Sequence, residues 1–271
     1  MDINISTIRE SERVHYIMQL SSYFSELTDL PGVRFSYTYR FTDIWYNQAY
    51  DIEWTSDIKS LKTVVEEYLA KRDRLPCIYT SPATEPENIG KLLEDLGYGM
   101  FEEEAWMFYN FDENKKAYTI PDDISITEVK TEQDLEIFAE VYRKGLPGPE
   151  VEDYVEACLE GFKYKPPLVN IWYFIAKYQG APAGMISLLT LGKYAGIYAV
   201  ATIEEFQKKG IVRALNWVAC ALAEKVGCKY AFLQTVKGED SELVFEKLGY
   251  ETLFIREGYT TKQVIADLEH G

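Results

Sequence analysis

Apolar residues recur at two different periods along this chain, and the switches between them mark its elements. Over residues 7–27, Ile8, Val14, Ile17, Met18, Leu20 and Phe24 fall at roughly helical spacing, which predicts a helix. VRFSYTYRF then alternates, with Phe35, Tyr37, Tyr39 and Phe41 on one face of a strand, and DIWYNQAYDIEW reads as a second strand hairpin-paired with it. Residues 57–71 return to helical spacing through Ile58, Leu61, Val64, Tyr68 and Leu69. PCIYTSP is a short buried strand bounded by prolines. Thr84 and Glu87 read as a capping box for a helix through Ile89, Leu92, Leu93 and Leu96 that stops at Gly97. YGMFEEEAWMFYNF supplies one or two strands.

Residues 112–122, DENKKAYTIPD, are polar and contain a proline, so a linker is expected there. The pattern then resumes: a strand at ISITEV, a helix opened by Thr131, a turn at GLPGPE and a short helix over 150–161. Three strands follow, IWYFIAKY, APAGMISLLTL and AGIYAVAT, separated by QG and GK turns. An apolar helix over 210–226 carries Ile211, Ala214, Leu215, Val218, Ala219, Leu222 and Ala223 inward. KYAFLQT is a strand, EDSELVFEKL a helix ended by Gly249, and YETLFIREGYTTKQ returns as strands.

Two segments are alike. LLEDLGYGMF at 92–101 resembles VFEKLGYETLF at 244–254, and each follows a helix and a short strand in the same order. The matching order suggests a duplicated fold, although helix–glycine–strand junctions also arise by chance. A chain of 271 residues with 47% hydrophobic content is long enough for two domains. The expected division is 1–115 and 122–271.

Composition narrows the chemistry. The formal net charge is −16 and both halves share it, so neither is a basic nucleic-acid module and no nucleic-acid partner is expected. Such an acidic surface serves solubility and also favours cationic substrates such as amines. Cys77, Cys158, Cys220 and Cys228 are scattered without a C-x-x-C pair, and the two histidines are His15 and His270. This reads as reduced thiols in a cytoplasmic protein with no metal site. The polar N-terminus is not a signal peptide, and no apolar run reaches the ~18 residues of a membrane span. The histidines and the absence of G-x-S-x-G speak against a hydrolase triad, and the absence of G-x-G-x-x-G against a dinucleotide oxidoreductase.

The stretch QKKGIVRAL, residues 207–215, joins the strand AGIYAVAT to the apolar helix through a short loop. Strand, loop, glycine and helix N-terminus together form a phosphate-binding geometry. First-turn amides lack helical partners, and the helix dipole favours an anion there. Gly210 allows close approach of the backbone. Lys208 and Lys209 add positive charge where a cation is otherwise mildly disfavoured. Taken alone, the hexamer reads equally as a solvated turn.

AVATIEEFQKKGIVRAL resembles motif A of the GNAT superfamily of N-acetyltransferases, (Q/R)-x-x-G-x-(G/A) after a V-A-T strand. Gln207, Gly210 and Leu215 match, and Val200-Ala201-Thr202 precede at the right distance. ELVFEKLGYE is similar to the superfamily's closing L-Y-x-x-x-G-F segment, and the order of elements over 124–260 agrees. The resemblance implies an α+β chain of two tandem acetyltransferase-like domains, each a mixed, mostly antiparallel sheet flanked by helices. It implies acetyl-CoA as cosubstrate, held by Val200, Thr202, Gln207, Lys208, Lys209, Gly210, Ile211, Val212, Arg213 and Phe245, with no metal. The acceptor is then an amine on a small molecule or a protein, attacking the thioester directly through a tetrahedral intermediate. A backbone N–H near Val200 would polarise the carbonyl. Candidates for the proton roles are Tyr198, Glu205 and Tyr259.

The sequence departs from the pattern at three positions. Val212 replaces the second Gly or Ala, Phe245 stands where many members carry a tyrosine that protonates the thiolate, and Glu204 replaces a common proline. Val212 and Phe245 keep a second reading open: a non-catalytic acetyl-CoA-binding or interaction module. The first half lacks the phosphate loop, since DIEWTSDIKS has no glycine and two aspartates before its helix. That implies a degenerate copy acting as a wall, a lid or a homodimer surface.

Overall fold

Asn4 accepts a hydrogen bond from the Thr7 amide and so opens the first helix, α1 (Ile5–Met18). The computed structural model describes residues 4–20, 22–114, 118–148 and 151–270. It divides into two compact units that do not follow chain order. The first combines Met1–Met107, Gln234–Lys247 and Glu251–Gly271. The second comprises Phe108–Leu233 and Leu248–Tyr250.

In the first unit, α1 is followed by a hairpin of β1 (Glu26–Leu30) and β2 (Val33–Tyr37), then β3 (Gln48–Tyr50), α2 (Ile58–Ala70), β4 (Cys77–Thr80), α3 (Ile89–Asp95) and β5 (Tyr98–Asn110). β11 (Glu251–Thr261) joins this sheet, so the strand order is β1-β2-β3-β4-β11-β5. β1/β2, β2/β3 and β4/β11 are antiparallel, while β3 and β4 are parallel, as the crossover through α2 requires. α2 buries Leu61, Val65, Tyr68 and Leu69 in a core with Phe35, Ile78, Leu93 and Tyr98.

Several expected elements differ. The first helix stops at Met18, and the strand β1 that follows begins at the tail of the segment expected to be helical and runs on through residues to which no element was assigned. β1 reads ELTDL and is largely exposed, so it carries no apolar period to announce it. Phe35 is buried on β2 as expected, but Tyr39 is exposed beyond the strand's end. Thr84 does not cap α3. Asn88 precedes that helix without a side-chain cap, and the Thr84 hydroxyl instead accepts from the Ser81 amide. The closing strand ends at Thr261, two residues short of the expected YETLFIREGYTTKQ, and the chain from Lys262 forms a helix, α8 (Lys262–His270).

A second set of polar groups lies inside this unit. Arg256 of β11 is buried, with its Nε 3.1 Å from Glu12 Oε1, outside hydrogen-bond alignment. Its Nη2 donates to Tyr16 Oη at 2.9 Å and Gln48 Oε1 at 3.1 Å, and its Nη1 to Glu104 at 3.3 Å. Burial pushes the Glu12 carboxyl up to about 7, against the attraction of Arg256. Burial, with the Arg256 charge, pushes His15 down to about 3.

The second unit has strand order β10-β9-β8-β7-β6. It runs β6 (Ile124–Glu128), α4 (Glu132–Gly145), α5 (Val151–Lys163), β7 (Asn170–Tyr178), β8 (Ala181–Leu191), β9 (Tyr194–Thr202), a 3₁₀ turn (Glu204–Phe206), α6 (Ile211–Lys225) and β10 (Tyr230–Val236). α7 (Asp240–Leu248), which follows in the chain, lies all but its last residue in the first unit. α4 opens with a complete capping box between Thr131 and Asp134. β6 to β9 pair antiparallel, whereas β9 and β10 are parallel across the α6 crossover. The linker expected at 112–122 and the turn at GLPGPE include residues 115–117 and 149–150, which lie outside the described residues. All four cysteines are buried free thiols. Burial raises Cys220 to about 12 and Cys228 to about 11, so both are unreactive. No described helix is long and apolar enough to cross a membrane.

Candidate active site

β9 changes character midway. Met185 of β8 pairs with Ala201, and Ser187 with Tyr198, so Ala199 and Val200 together stand opposite Ile186. This is a β-bulge, and Ala199 takes φ +48° to make it. On the other edge of β9, the ladder to β10 runs from Tyr194/Tyr230 to Gly196/Phe232 and stops. From Ile197 to Thr202 that edge has no ladder partner on β10 among the described residues, so its backbone groups are open to an extended ligand.

Beyond Thr202 the chain turns through the 3₁₀ segment to Gln207, Lys208, Lys209 and Gly210, all exposed. Lys208 and Gly210 both have positive φ, +62° and +84°, which bends the loop tightly onto the helix. Gly210 is the N-cap of α6 and provides no side-chain cap. The first intrahelical bond runs from Ala214 N to Gly210 O at 3.0 Å, so the amides of Ile211, Val212 and Arg213 lie ahead of the ladder. Gly184 on β8 lets α6 sit close: a Cβ there would lie 2.5 Å from Ile211 Cγ2. Val212 is half-buried in the first turn.

The cations around the loop rest on aromatic rings. Arg213 lies 4.6 Å from the Tyr118 ring centre, and Lys209 Nζ lies 6.0 Å from that of Tyr178. Thr202 Oγ1, buried at the end of β9, has no hydrogen-bond partner among the described residues. Uncapped amides and two lysines at one helix start suit an anionic group such as a phosphate.

The three proton-handling candidates lie in different surroundings. Tyr198 is half-buried on β9, and its ring folds back over Gly196. Glu205 is exposed on the 3₁₀ turn. Tyr259 belongs to the first unit's core on β11, where its hydroxyl donates to Glu257 Oε2 at 2.6 Å. Burial, then that hydrogen bond, raises its pKa well above the usual tyrosine range. Phe245 is buried on α7 in the first unit. The bulge at Ala199 and Tyr118 beneath Arg213 escaped sequence reasoning. Neither carries a residue-type signal, because a bulge is a register event and Tyr118 lay in the expected linker.

A sequence profile of the Acetyltransferase (GNAT) family matches residues 135–250. No functionally curated protein shows a significant sequence match. Among solved structures, the chain is similar to a GCN5-related N-acetyltransferase from Kribbella flavida, at 12% identity, covering 96% of this chain and 97% of that one with TM-score 0.71. It is also similar to a GCN5-related N-acetyltransferase from Sphaerobacter thermophilus, at 13% identity over 84% and 76% of the chains with TM-score 0.63. A tandem GNAT protein from the clavulanic acid biosynthesis pathway aligns at 12% identity over 84% and 78%, TM-score 0.61. The architecture is that of two acetyltransferase-like folds in tandem. Residues 135–250 thus match the GNAT family profile, and the fold of the chain is that of these solved structures.

Proposed function

We infer that the protein moves an acetyl group from acetyl-CoA to an amine on a small molecule or a protein. The observation that carries this reading is the uncapped start of α6, with Gly210 at φ +84° and two lysines, directly after a bulged strand with an open edge. Gln207 to Arg213 hold the pyrophosphate through backbone amides and the charges of Lys208, Lys209 and Arg213. Val200 and Thr202 line the open edge along which the pantetheine arm lies as an added strand. The bulge turns a backbone N–H near Val200 toward the thioester carbonyl, where it stabilises the oxyanion formed as the neutral amine attacks. Glu205, exposed beside the loop, accepts the amine proton through water. Phe245 has no proton to give, so the thiolate leaves unassisted. In this reading 1–115 and 122–271 are two copies of one fold, although Gln234–Lys247 and Glu251–Gly271 fall in the first compact unit, and the first copy, without a phosphate loop, serves as a wall, a lid or a homodimer surface.

Free-thiol release from acetyl-CoA across an amine panel tests the activity. Release that depends on an added amine supports transfer. Tight acetyl-CoA binding with no release for any amine would favour a non-catalytic binding module instead.

A further inference from the structure

The end of the open edge on β9 is closed by rings. Where the ladder resumes, Phe232 is fully buried and meets Tyr198 edge-on, with centroids 6.4 Å apart and planes at 89°. Tyr194 meets Phe232 in the same way at 6.0 Å, and Phe108 stacks on it at 5.6 Å. Tyr198 can lie there only because residue 196 is glycine. A Cβ on Gly196 would sit 2.3 Å from Tyr198 Cε2 and 2.7 Å from both Cζ and Oη. The ring therefore covers the strand at Gly196 rather than projecting from the bulge.

A cosubstrate anchored by its phosphates at Gln207–Arg213 and extended along β9 runs from Thr202 back toward Gly196. Its acyl end is the part that approaches these rings. We propose that Tyr198, laid across Gly196 and braced edge-on against Phe232, is the acyl-length determinant of this site: it admits an acetyl group and rejects longer chains. The proposal rests on the acetyl-CoA reading of the loop. Without the ring, each added methylene would gain by burial; with it, a longer chain must displace a packed aromatic.

Calorimetric titration with CoA, acetyl-CoA and hexanoyl-CoA tests this without knowledge of the acceptor. The wild-type protein is expected to bind hexanoyl-CoA about tenfold or more weakly than acetyl-CoA. Tyr198→Ala is expected to bring hexanoyl-CoA to parity or better. Tyr198→Phe, which keeps the ring and loses the hydroxyl, is expected to retain the wild-type ratio. Should Tyr198→Ala not fold, Tyr198→Leu is expected to shift the ratio in the same direction. Equal binding of the two thioesters by the wild type, or an unchanged ratio in the folded Ala or Leu variant, overturns the proposal. If CoA and both thioesters all fail to bind, the acetyl-CoA reading falls and this proposal falls with it.

Discussion

The two units contain the same crossover, and each resolves it in the opposite way. In the first, β3 leads through α2 to the parallel strand β4; in the second, β9 leads through α6 to the parallel strand β10. Both leading strands carry a non-glycine residue of positive φ at or just beyond the strand, Asp51 at +46° and Ala199 at +48°. Both helices then begin, one at Ile58 and one at Ile211. α2 is capped by its own carboxylate, since Asp57 accepts from the Lys59 amide. α6 begins at Gly210 with no side-chain cap and two lysines before it. The first helix start thus supplies its own anion, and the second has none, the difference on which the proposed phosphate site rests.

The strands differ in the same sense. Asp51 is buried and accepts from Arg13 Nε at 2.7 Å, with Arg34 Nε at 3.0 Å and Arg9 Nη1 at 3.7 Å. Ala199 has no charge to satisfy, and the edge beside it is open. The first unit gathers its buried charges against one another, Arg256 with Glu104, Tyr16 and Gln48 and beside Glu12, while Asp51 Oδ1 and Arg256 Nε themselves lack a hydrogen bond. In the second, Thr202 Oγ1 and Ser187 Oγ are buried without a hydrogen-bond partner among the described residues, and the amides of Ile211, Val212 and Arg213 lie ahead of the α6 ladder.

Disrupting the internally satisfied side has the largest expected effect on stability. Arg256→Ala strands Glu12 and Glu104 in the interior and is expected to cost about 3–5 kcal/mol, read by urea denaturation. On the open side, replacing both Lys208 and Lys209 by Glu is expected to weaken acetyl-CoA about 10–100-fold with the melting temperature unchanged, read by calorimetry. Glu205→Gln is expected to lower kcat about 100-fold while the acetyl-CoA dissociation constant stays at the wild-type value. Asp57→Ala is expected to cost about 1 kcal/mol and leave acetyl-CoA binding as it was, because its carboxylate serves only its own helix.

A last test concerns pH. Glu12 titrates at about 7 in the folded state against 4.5 ordinarily, so it lowers stability as pH rises from about 4.5 to about 7. His15 titrates at about 3 against 6.5, so it lowers stability as pH falls below 6.5. The two oppose each other between about 4.5 and 6.5. Glu12→Gln removes the first contribution, so the melting temperature of the variant relative to wild type is expected to rise between pH 4.5 and 7 and then level off. A difference constant across that range would mean that Glu12 carries no such shift.

Much of the second unit was legible in the sequence because its information is local. Helical period, the Thr131 capping box and the strand–loop–glycine–helix order over 194–225 all lie within a few residues of one another. What was not legible depends on partners far apart in the chain. Arg256 reads as a surface residue until β11 is seen beside β4, with Glu12 and Gln48 closing around it. β1 was hidden because its exposed residues have no apolar period, and Thr84 was misread because its hydroxyl turned to Ser81 rather than to the helix. The fold of Tyr198 over Gly196 follows from an absent Cβ, which no pattern of residue types announces.

Calorimetric titration of acetyl-CoA into wild-type protein and Gly210→Glu, with both checked for an unchanged circular dichroism spectrum, tests the difference between the two helix starts most directly. One site per chain is expected in the wild type, and a loss of affinity of at least about 100-fold in the variant, since the new carboxylate would put a negative charge and a side chain at the helix start proposed to hold the phosphates. Wild-type affinity in a folded Gly210→Glu variant, or two equivalent sites per chain, would contradict it.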